Sequence, residues 1–127
     1  APLKILVAED SFAIRTVLRM MLQGEGHEVV AVEDGTDALD AVGREAFDLA
    51  FIDLQMPVMD GPDAIRRIRA IPKRGQIPII VLTGMGEEAA IDAFRDLHVE
   101  VLLRKPVRMD ELQAAVDRAM PALALAS

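Results

Sequence analysis

The stretch Asp48-Leu-Ala-Phe-Ile-Asp53 has four consecutive apolar residues that end at the carboxylate of Asp53. Directly after it comes Leu54-Gln-Met-Pro-Val-Met-Asp-Gly61. An uninterrupted apolar run of this kind is typical of a strand that helices cover on both faces of a parallel sheet. The Pro and Gly of the second stretch predict a loop immediately after that strand. Asp53 is therefore expected at the carboxyl end of a buried strand, and ligands of open α/β sheets bind beyond such ends.

Four other apolar runs repeat this design, and helix-like segments alternate with them. The five runs together are Leu3–Ala8, Glu28–Val32, Leu49–Ile52, Ile77–Leu82 and Val99–Leu103. Strands that alternate with helices in this way predict an α/β fold, with a mainly parallel sheet and helices on both of its faces.

The first and last predicted helices each carry an apolar stripe at helical spacing. The first stripe consists of Ile14, Val17, Leu18, Met21 and Leu22, and the last consists of Leu112, Ala115, Val116, Ala119 and Met120. Arg15 and Arg19 then fall on the solvent side of the first helix. Thr36 and Asp110 are residue types that cap helix N-termini, so we expect the second and last helices to begin after them.

Length and composition favour one small domain. We expect the 127 residues to form a domain over 1–121, and a tail at 122–127 to fray or lead into a further segment. The net charge of -7 disfavours direct nucleic acid binding, because phosphate backbones would be repelled. Without cysteine the chain has no thiolate ligands, so we expect a metal to be bound through oxygen atoms. No apolar stretch approaches the ~20 residues of a membrane span, so we expect no membrane insertion and a cytoplasmic location.

Polar and charged side chains follow four of the five runs. Glu9 and Asp10 follow the first run, Asp53 the third, Thr83 the fourth and Lys105 the fifth. Parallel strands would bring all of them to one edge of the sheet. Carboxylates together with phosphate oxygens are suitable ligands for Mg2+. Two carboxylates ~4 Å apart at an effective dielectric near 20 repel by about 4 kcal/mol, so the cluster favours binding of a cation or a proton.

Taken one at a time, these residues also fit ordinary structural roles. Glu9 and Asp10 would suit the N-terminus of a helix, where acids interact favourably with the helix dipole. Thr83 alone is typical of a turn, and Lys105 before a proline is a common way to leave a strand. An Asp after an apolar strand is also the nucleophile of haloacid-dehalogenase-like phosphatases. Those enzymes need a second acid two residues later, where this chain has Gln55.

In combination, the residues resemble the receiver domain of two-component response regulators. The motifs are Val7-Ala-Glu9-Asp10, Asp53, Met56-Pro57 with Met59-Asp-Gly61, Thr83-Gly84 and Lys105-Pro106, and the resemblance covers nearly the whole chain. It implies a flavodoxin-like receiver fold, in which five parallel strands lie in the order 2-1-3-4-5 and five helices flank the sheet on both faces.

The resemblance implies roles for the acidic residues. Asp53 would accept a phosphoryl group from a phosphohistidine, carried by a sensor histidine kinase or a histidine phosphotransfer protein. Asp10 and Asp53 would bind Mg2+ directly, Glu9 through water, and Gln55 through its backbone carbonyl. Such a site works by positioning the reactants and neutralising charge.

The remaining site residues would hold the phosphoryl group and transmit the signal. Lys105, the hydroxyl of Thr83 and the amide of Gly84 would contact the phosphoryl oxygens. The domain would be a switch rather than a turnover enzyme, although it would support its own phosphorylation and autodephosphorylation. Phosphorylation would draw Thr83 inward and shift the population of states at the following loop and helix.

One position departs from the family pattern. Receivers commonly carry Tyr or Phe three residues before the conserved lysine, and this chain has Leu102 there. The face formed by the fourth helix, the fifth strand and the fifth helix would bind a downstream protein, and it is unusually aliphatic. The alternative hypothesis is a degenerate receiver that acts as a docking or dimerisation module without phosphorylation. The intact set of site residues argues against it, and Leu102 argues weakly for it.

Overall fold

A five-stranded sheet forms the centre of the molecule in the computed structural model, which describes residues 2–84, 92, 97–99 and 101–120. The strands are β1 Lys4–Ala8, β2 Glu28–Val32, β3 Leu49–Asp53, β4 Ile79–Thr83 and β5 Val101–Arg104. All neighbouring strands run parallel, in the order β2-β1-β3-β4-β5. The predicted parallel sheet and its strand order are confirmed.

Four helices are present in the described part of the chain. They are α1 Phe12–Gly24, α2 Gly35–Arg44, α3 Gly61–Arg69 and α4 Met109–Ala119. The further helix that the sequence predicts between Thr83 and Val99 lies, apart from Asp92, outside the described residues. None of the helices that the structure describes has the length and apolar character needed to cross a bilayer.

Both faces of the sheet are covered, as the continuous apolar runs predict. Along β3, Leu49 and Phe51 pack with α1 and α4, whereas Ala50 and Ile52 pack with α2 and α3. All four side chains are fully buried. Burial of a large apolar side chain such as Phe51 contributes about 1.5–3 kcal/mol, so the two cores hold β3 firmly between them.

The strand ends differ in detail from the predicted ones. β4 begins at Ile79 rather than Ile77, since Pro78 has no N–H to donate to the neighbouring strand. The carbonyl of Pro78 still accepts from the amide of Ala50 at 3.0 Å. β3 and β4 extend through Asp53 and Thr83, so these polar side chains stand on the strands themselves.

The apolar stripe of α1 is narrower than predicted. Leu18 and Leu22 are buried, and Ile14 and Met21 are partly buried against the same core. Val17 is 48% exposed, so its assignment to the core face was wrong. Val17 has the spacing of the stripe, but of these residues only Leu18 and Leu22 are fully buried.

Both predicted helix caps were wrong. Asp34, and not Thr36, is the N-cap of α2, and its side chain accepts from the amide of Asp37 at 2.8 Å. The last helix begins before Asp110, and Arg108 at its N-cap position makes no side-chain capping hydrogen bond. Capping propensity alone does not fix where a helix begins, because the backbone path decides which residue leaves the helical conformation.

Arg69, at the end of α3, joins this helix to the loops that lead into β4 and β5. Its Nη1 donates to the carbonyls of Gly75 at 2.8 Å and Ile77 at 2.6 Å. Its Nε donates to the carbonyl of Leu97 at 3.3 Å, and its Nη2 donates to that of His98 at 2.7 Å. A planar guanidinium supplies five donors in a rigid arrangement, which suits several carbonyls around one point.

We predict that Arg69→Lys lowers the free energy of unfolding by about 1–3 kcal/mol, because an ammonium with three donors leaves some of these carbonyls without a partner. Urea denaturation followed by circular dichroism measures the change. Arg67→Lys is the matched control, since among the described residues Arg67 forms an exposed ion pair with Asp63 at 3.6 Å, and this substitution should change stability by less than about 1 kcal/mol. Equal effects of the two substitutions would contradict this role of Arg69.

Candidate functional site

The polar strand ends meet where the strand order reverses. Glu9 follows β1, and Asp53 ends the neighbouring strand β3. Thr83 ends β4 beside the carboxyl end of β3, and its carbonyl accepts from the amide of Lys105 at 2.9 Å. Four polar side chains from four parts of the sequence thus lie at the carboxyl edge, which is the usual ligand-binding edge of this architecture.

Lys105 forms ion pairs with two buried carboxylates. Its Nζ lies 3.1 Å from Oε1 of Glu9 and 3.2 Å from Oδ1 of Asp53. Glu9 is 0% exposed and Asp53 is 1% exposed, whereas Asp10 is exposed beside them. One ammonium therefore faces two desolvated carboxylates, and their negative charge exceeds its own.

Electrostatics favours protonation at Glu9. Burial, together with the nearby Asp10 and Asp53, raises the pKa of the Glu9 carboxyl to about 7, although a hydrogen bond from the amide of Ser11 acts in the opposite direction. Burial alone would lower the pKa of the Lys105 ammonium, but the hydrogen bond to Glu9 and the charge of Asp53 raise it overall. The lysine stays charged, and the excess negative charge is relieved at Glu9 by a proton or by a cation.

The carboxylates fit a hard divalent cation. Glu9, Asp10 and Asp53 each present an oxygen within 4.8 Å of the others. Oδ2 of Asp53 is the only buried side-chain nitrogen or oxygen without a hydrogen-bond partner among the described residues. A buried polar atom without a partner is costly, and Mg2+ or Ca2+ would satisfy an oxygen placed in this way.

The loop after β3 is held close to the site by the small size of Gly61. A side-chain Cβ at Gly61 would collide with the carbonyl oxygen of Asp53 and lie 2.9 Å from Cα of Leu54. The amide of Gly61 donates to the carbonyl of Leu54 at 3.0 Å. Asp60 caps α3 by accepting from the amide of Asp63 at 3.0 Å. Asp60 and Gly61 therefore start α3 in close contact with the backbone of Asp53 and Leu54.

This loop also borders an open cleft of about 580 Å³. Asp10, Gln55, Pro57 and Asp60 are among the residues that line it. The amide of Gln55 is 3.4 Å from Oδ1 of Asp53, so Oδ1 has two donors while Oδ2 has none. The cleft leaves room for a ligand beside the acidic group.

The structure also shows where the other predicted site residues lie. Thr83 is buried at the sheet edge, and Gly84 follows it as an exposed residue. Leu102 is partly buried and packs against the core on the α2 and α3 side of the sheet. The roles of these three residues in phosphoryl binding and signal transmission remain predictions.

Two residues near the site were not identified from the sequence. Arg15, which was predicted to face solvent, bends back and donates through Nη1 to the carbonyls of Glu9 at 2.8 Å and Asp10 at 3.2 Å. Ser11 caps α1 by accepting from the amide of Ile14 at 3.3 Å. A serine directly before the helical stripe was a usable signal for the cap, whereas nothing in the helical pattern indicates that Arg15 reaches two backbone carbonyls.

The fold and this site can now be compared with known proteins. A family model described as the response regulator receiver domain matches residues 5–117. The chain belongs to this family. Receiver domains are signalling switches of two-component systems, and the predicted family is confirmed.

Relatives of the receiver domain differ greatly in length. Sporulation initiation phosphotransferase F of Bacillus subtilis is 32% identical over 118 residues, which are 93% of this chain and 94% of that protein. Transcriptional regulatory protein ZraR of Escherichia coli K12 is 32% identical over 117 residues, which are 91% of this chain but only 26% of that protein. The same domain thus makes up nearly all of one relative and about a quarter of another.

Solved structures show the same fold. The receiver domain of sensor histidine kinase PA1611 from Pseudomonas aeruginosa PAO1 has a TM-score of 0.87 and 32% identity, and the match covers 95% of this chain and 99% of that one. That structure has a magnesium ion coordinated in its active-site cleft. Chemotaxis response regulator CheY4 of Vibrio cholerae has a TM-score of 0.88 and 28% identity, with 94% of this chain and 99% of that one covered.

We predict that Glu9 makes the metal-free protein less stable as the pH rises. The pKa of Glu9 is about 7 in the folded protein and 4.5 without the fold, so the folded state binds the extra proton in between. The stabilisation from that proton is fully present below pH 4.5 and is lost as the pH rises through about 7.

Urea denaturation in EDTA, at pH 5 and pH 8, tests this prediction against the variant Glu9→Gln. Wild type should lose stability relative to the variant between these pH values. Added Mg2+ should stabilise wild type more at pH 8 than at pH 5, because the metal competes with the proton. Parallel pH profiles of the two proteins would show that Glu9 does not carry the titration.

Proposed function

We propose that this receiver domain accepts a phosphoryl group on Asp53 and thereby switches protein interactions in a two-component pathway. The observation that carries the proposal is the asymmetry of the Asp53 carboxylate. Oδ1 accepts from Lys105 and Gln55, while Oδ2 is buried without a partner. A buried carboxylate with one constrained and one free oxygen is suited to bind a cation and to react with an electrophile.

The phosphodonor would be a phosphohistidine of a sensor histidine kinase or a histidine phosphotransfer protein. A carboxylate oxygen of Asp53 forms the new bond to phosphorus, the phosphorus–nitrogen bond of the donor breaks, and its electron pair stays on the imidazole. Hydrolysis reverses the state when water attacks phosphorus and the carboxylate leaves, which gives inorganic phosphate. Such a cycle between two states would make the domain a switch rather than a turnover enzyme.

Mg2+ is the proposed cofactor, since a related receiver domain holds magnesium in its cleft and the acidic cluster here has suitable ligands. Asp10 and Asp53 would hold it directly, Glu9 through water and Gln55 through its backbone carbonyl. When bound, it neutralises charge on the transferring phosphoryl group.

Lys105 would contribute the fixed positive charge on the protein side. Its ammonium already lies 3.2 Å from Oδ1 of Asp53, so it needs little movement to contact a phosphoryl oxygen. The hydroxyl of Thr83 and the amide of Gly84, at the end of the neighbouring strand β4, would complete the oxygen contacts. Movement of Thr83 toward the phosphoryl group would then shift the loop that follows it.

The output surface would be the face formed by β5, α4 and the helix expected between Thr83 and Val99. A downstream protein would bind there, and no direct contact with nucleic acid is proposed. Leu102 offers no ring and no hydroxyl at the position where receivers commonly have an aromatic residue. The signal would therefore pass through the backbone after Thr83 rather than through rotation of an aromatic side chain. The proposed role places the domain in the cytoplasm.

Phosphorylation by an acyl phosphate tests the proposal. We expect wild type to gain the mass of one phosphoryl group when it is incubated with acetyl phosphate and Mg2+, and Asp53→Asn to gain none. Asp60→Asn is the matched control, because Asp60 is an exposed acid of the same loop and Asn also caps helices. It should be labelled like wild type.

Intact-protein mass spectrometry, with and without EDTA, measures the labelling. EDTA should abolish or strongly reduce it in wild type. Absence of labelling in wild type, together with no saturable effect of Mg2+, would overturn the proposal and favour a docking module that works without phosphorylation. Equal labelling of Asp53→Asn would show that the acceptor is another residue.

A further inference from the structure

The loop between Asp53 and α3 contains a strained turn. The amide of Met59 donates to the carbonyl of Pro57 at 2.7 Å, and Val58 between them has φ 69°. This combination defines the rare form of the γ-turn with positive φ at its centre. A β-branched residue is unfavourable in this region, because its branched side chain crowds the backbone.

Nothing in the packing of Val58 explains why it occupies this conformation. Its side chain is 87% exposed, so it contributes little to the core. Glycine or asparagine would adopt the same φ more easily. Strain of this kind persists only where the surroundings hold the backbone in place, and it occurs preferentially at functional sites.

The support for this turn comes from α2, a separate element. Gly35, the first residue of α2, is buried against the backbone of Met59. A side-chain Cβ at Gly35 would collide with the carbonyl oxygen of Met59 and would lie 3.0 Å from its Cβ. The absence of a side chain at Gly35 therefore sets how closely the turn at Val58 can approach the rest of the domain.

Both ends of the loop are also fixed. The amide of Leu54 donates to the carbonyl of Leu82 at 2.9 Å, and the amide of Gly61 donates to the carbonyl of Leu54 at 3.0 Å. Met56 is 9% exposed and packs into the core. A displacement at Met59 is therefore confined to the loop between these fixed ends, and this loop contains Gln55.

The loop would yield before the helix. Ala38 and Val42 of α2 are buried in the core, and Nη1 of Arg74 donates to the carbonyl of Gly43 at 2.7 Å near the end of the helix. Val58, in contrast, is the most exposed of the large apolar side chains that the structure describes. A Cβ added at Gly35 would therefore displace the turn at Val58 and Met59 rather than α2.

We propose that Gly35 is a positioning residue: its contact with the turn at Val58 and Met59 holds the loop of residues 54–60 in the geometry that binds the metal. The inference rests on the proposed function, because it assumes Mg2+ at Asp53. Mg2+ requires nearly ideal octahedral geometry at 2.0–2.1 Å. A loop displaced by even a few tenths of an ångström would therefore bind it less well. A side chain at Gly35 should weaken Mg2+ binding although Gly35 does not touch the ion.

The first test is Gly35→Ala with Gly43→Ala as its control. Both glycines lie in α2, but a Cβ at Gly43 meets no atom within 4 Å. We expect Gly35→Ala to raise the Kd for Mg2+ on the order of tenfold, as is typical when the support of a metal ligand is altered. Gly43→Ala should leave the Kd unchanged and should not lower the thermal midpoint.

The second test separates positioning from stability and does not depend on Gly35→Ala folding. Val58→Gly relieves the strain and loses almost no packing, so the thermal midpoint should stay equal or rise. Because glycine adopts the same turn without strain, the loop should keep its position and the Kd for Mg2+ should not rise. Lys73→Gly is the control, because Lys73 is also exposed and has φ 70° in a different loop. It should leave the Kd unchanged.

Isothermal titration calorimetry gives the Kd, and circular dichroism gives the thermal midpoint; the chain has no Trp or Tyr for intrinsic fluorescence. Weaker Mg2+ binding by folded Gly35→Ala, with Gly43→Ala and Val58→Gly binding like wild type, would support the inference. If Gly35→Ala binds Mg2+ as well as wild type does, or if Val58→Gly binds it more weakly, the inference is wrong while the proposed function stands. If wild type itself shows no saturable Mg2+ binding, the proposed function fails first.

Discussion

The ion pairs of Lys105 with Glu9 and Asp53 are the interaction on which the site depends. Two carboxylates are almost fully removed from solvent, and one ammonium lies 3.1 and 3.2 Å from them. Desolvation of charges is costly, so such an arrangement needs compensation from elsewhere. The two apolar cores offset this free-energy cost, because they hold β1 and β3 rigidly side by side. The remaining negative charge favours binding of a cation at the site.

A second constraint is the route of the chain from Asp53 into α3. Gly61 brings the start of α3 under the carbonyl of Asp53, and Gly35 brings α2 against the carbonyl of Met59. The loop between them has little freedom, although much of it faces solvent. The Asp53 carboxylate therefore stands on a rigid strand, and the loop residues beside it are constrained. Preorganised charge of this kind suits the phosphoryl transfer that we propose for this site.

Most of the fold was predictable because its signals are local. Continuous apolar runs predict covered parallel strands, and their alternation with helices predicts the class of fold. The details that failed are those decided by distant contacts. Val17 fits the helical stripe of α1 yet is exposed, because the side of the helix that packs on the core is the one with Leu18 and Leu22. Arg15 falls on the polar side of the same helix, yet it donates to the carbonyls of Glu9 and Asp10. These two residues come just before α1, and the fold places their carbonyls within reach of the Arg15 guanidinium.

The sequence by itself determined which chemical groups are available and at which strand ends they stand. Acids follow the first and third strands and a lysine follows the fifth, and the family resemblance supplied their strand order and roles. Only the tertiary structure decided that Oδ1 of Asp53 has two donors while Oδ2 has none, and that Gly35 meets Met59 across the loop. The reason is physical: side-chain type and periodicity act over a few residues, whereas burial, desolvation and close contact depend on atoms that the folded chain brings together from far apart.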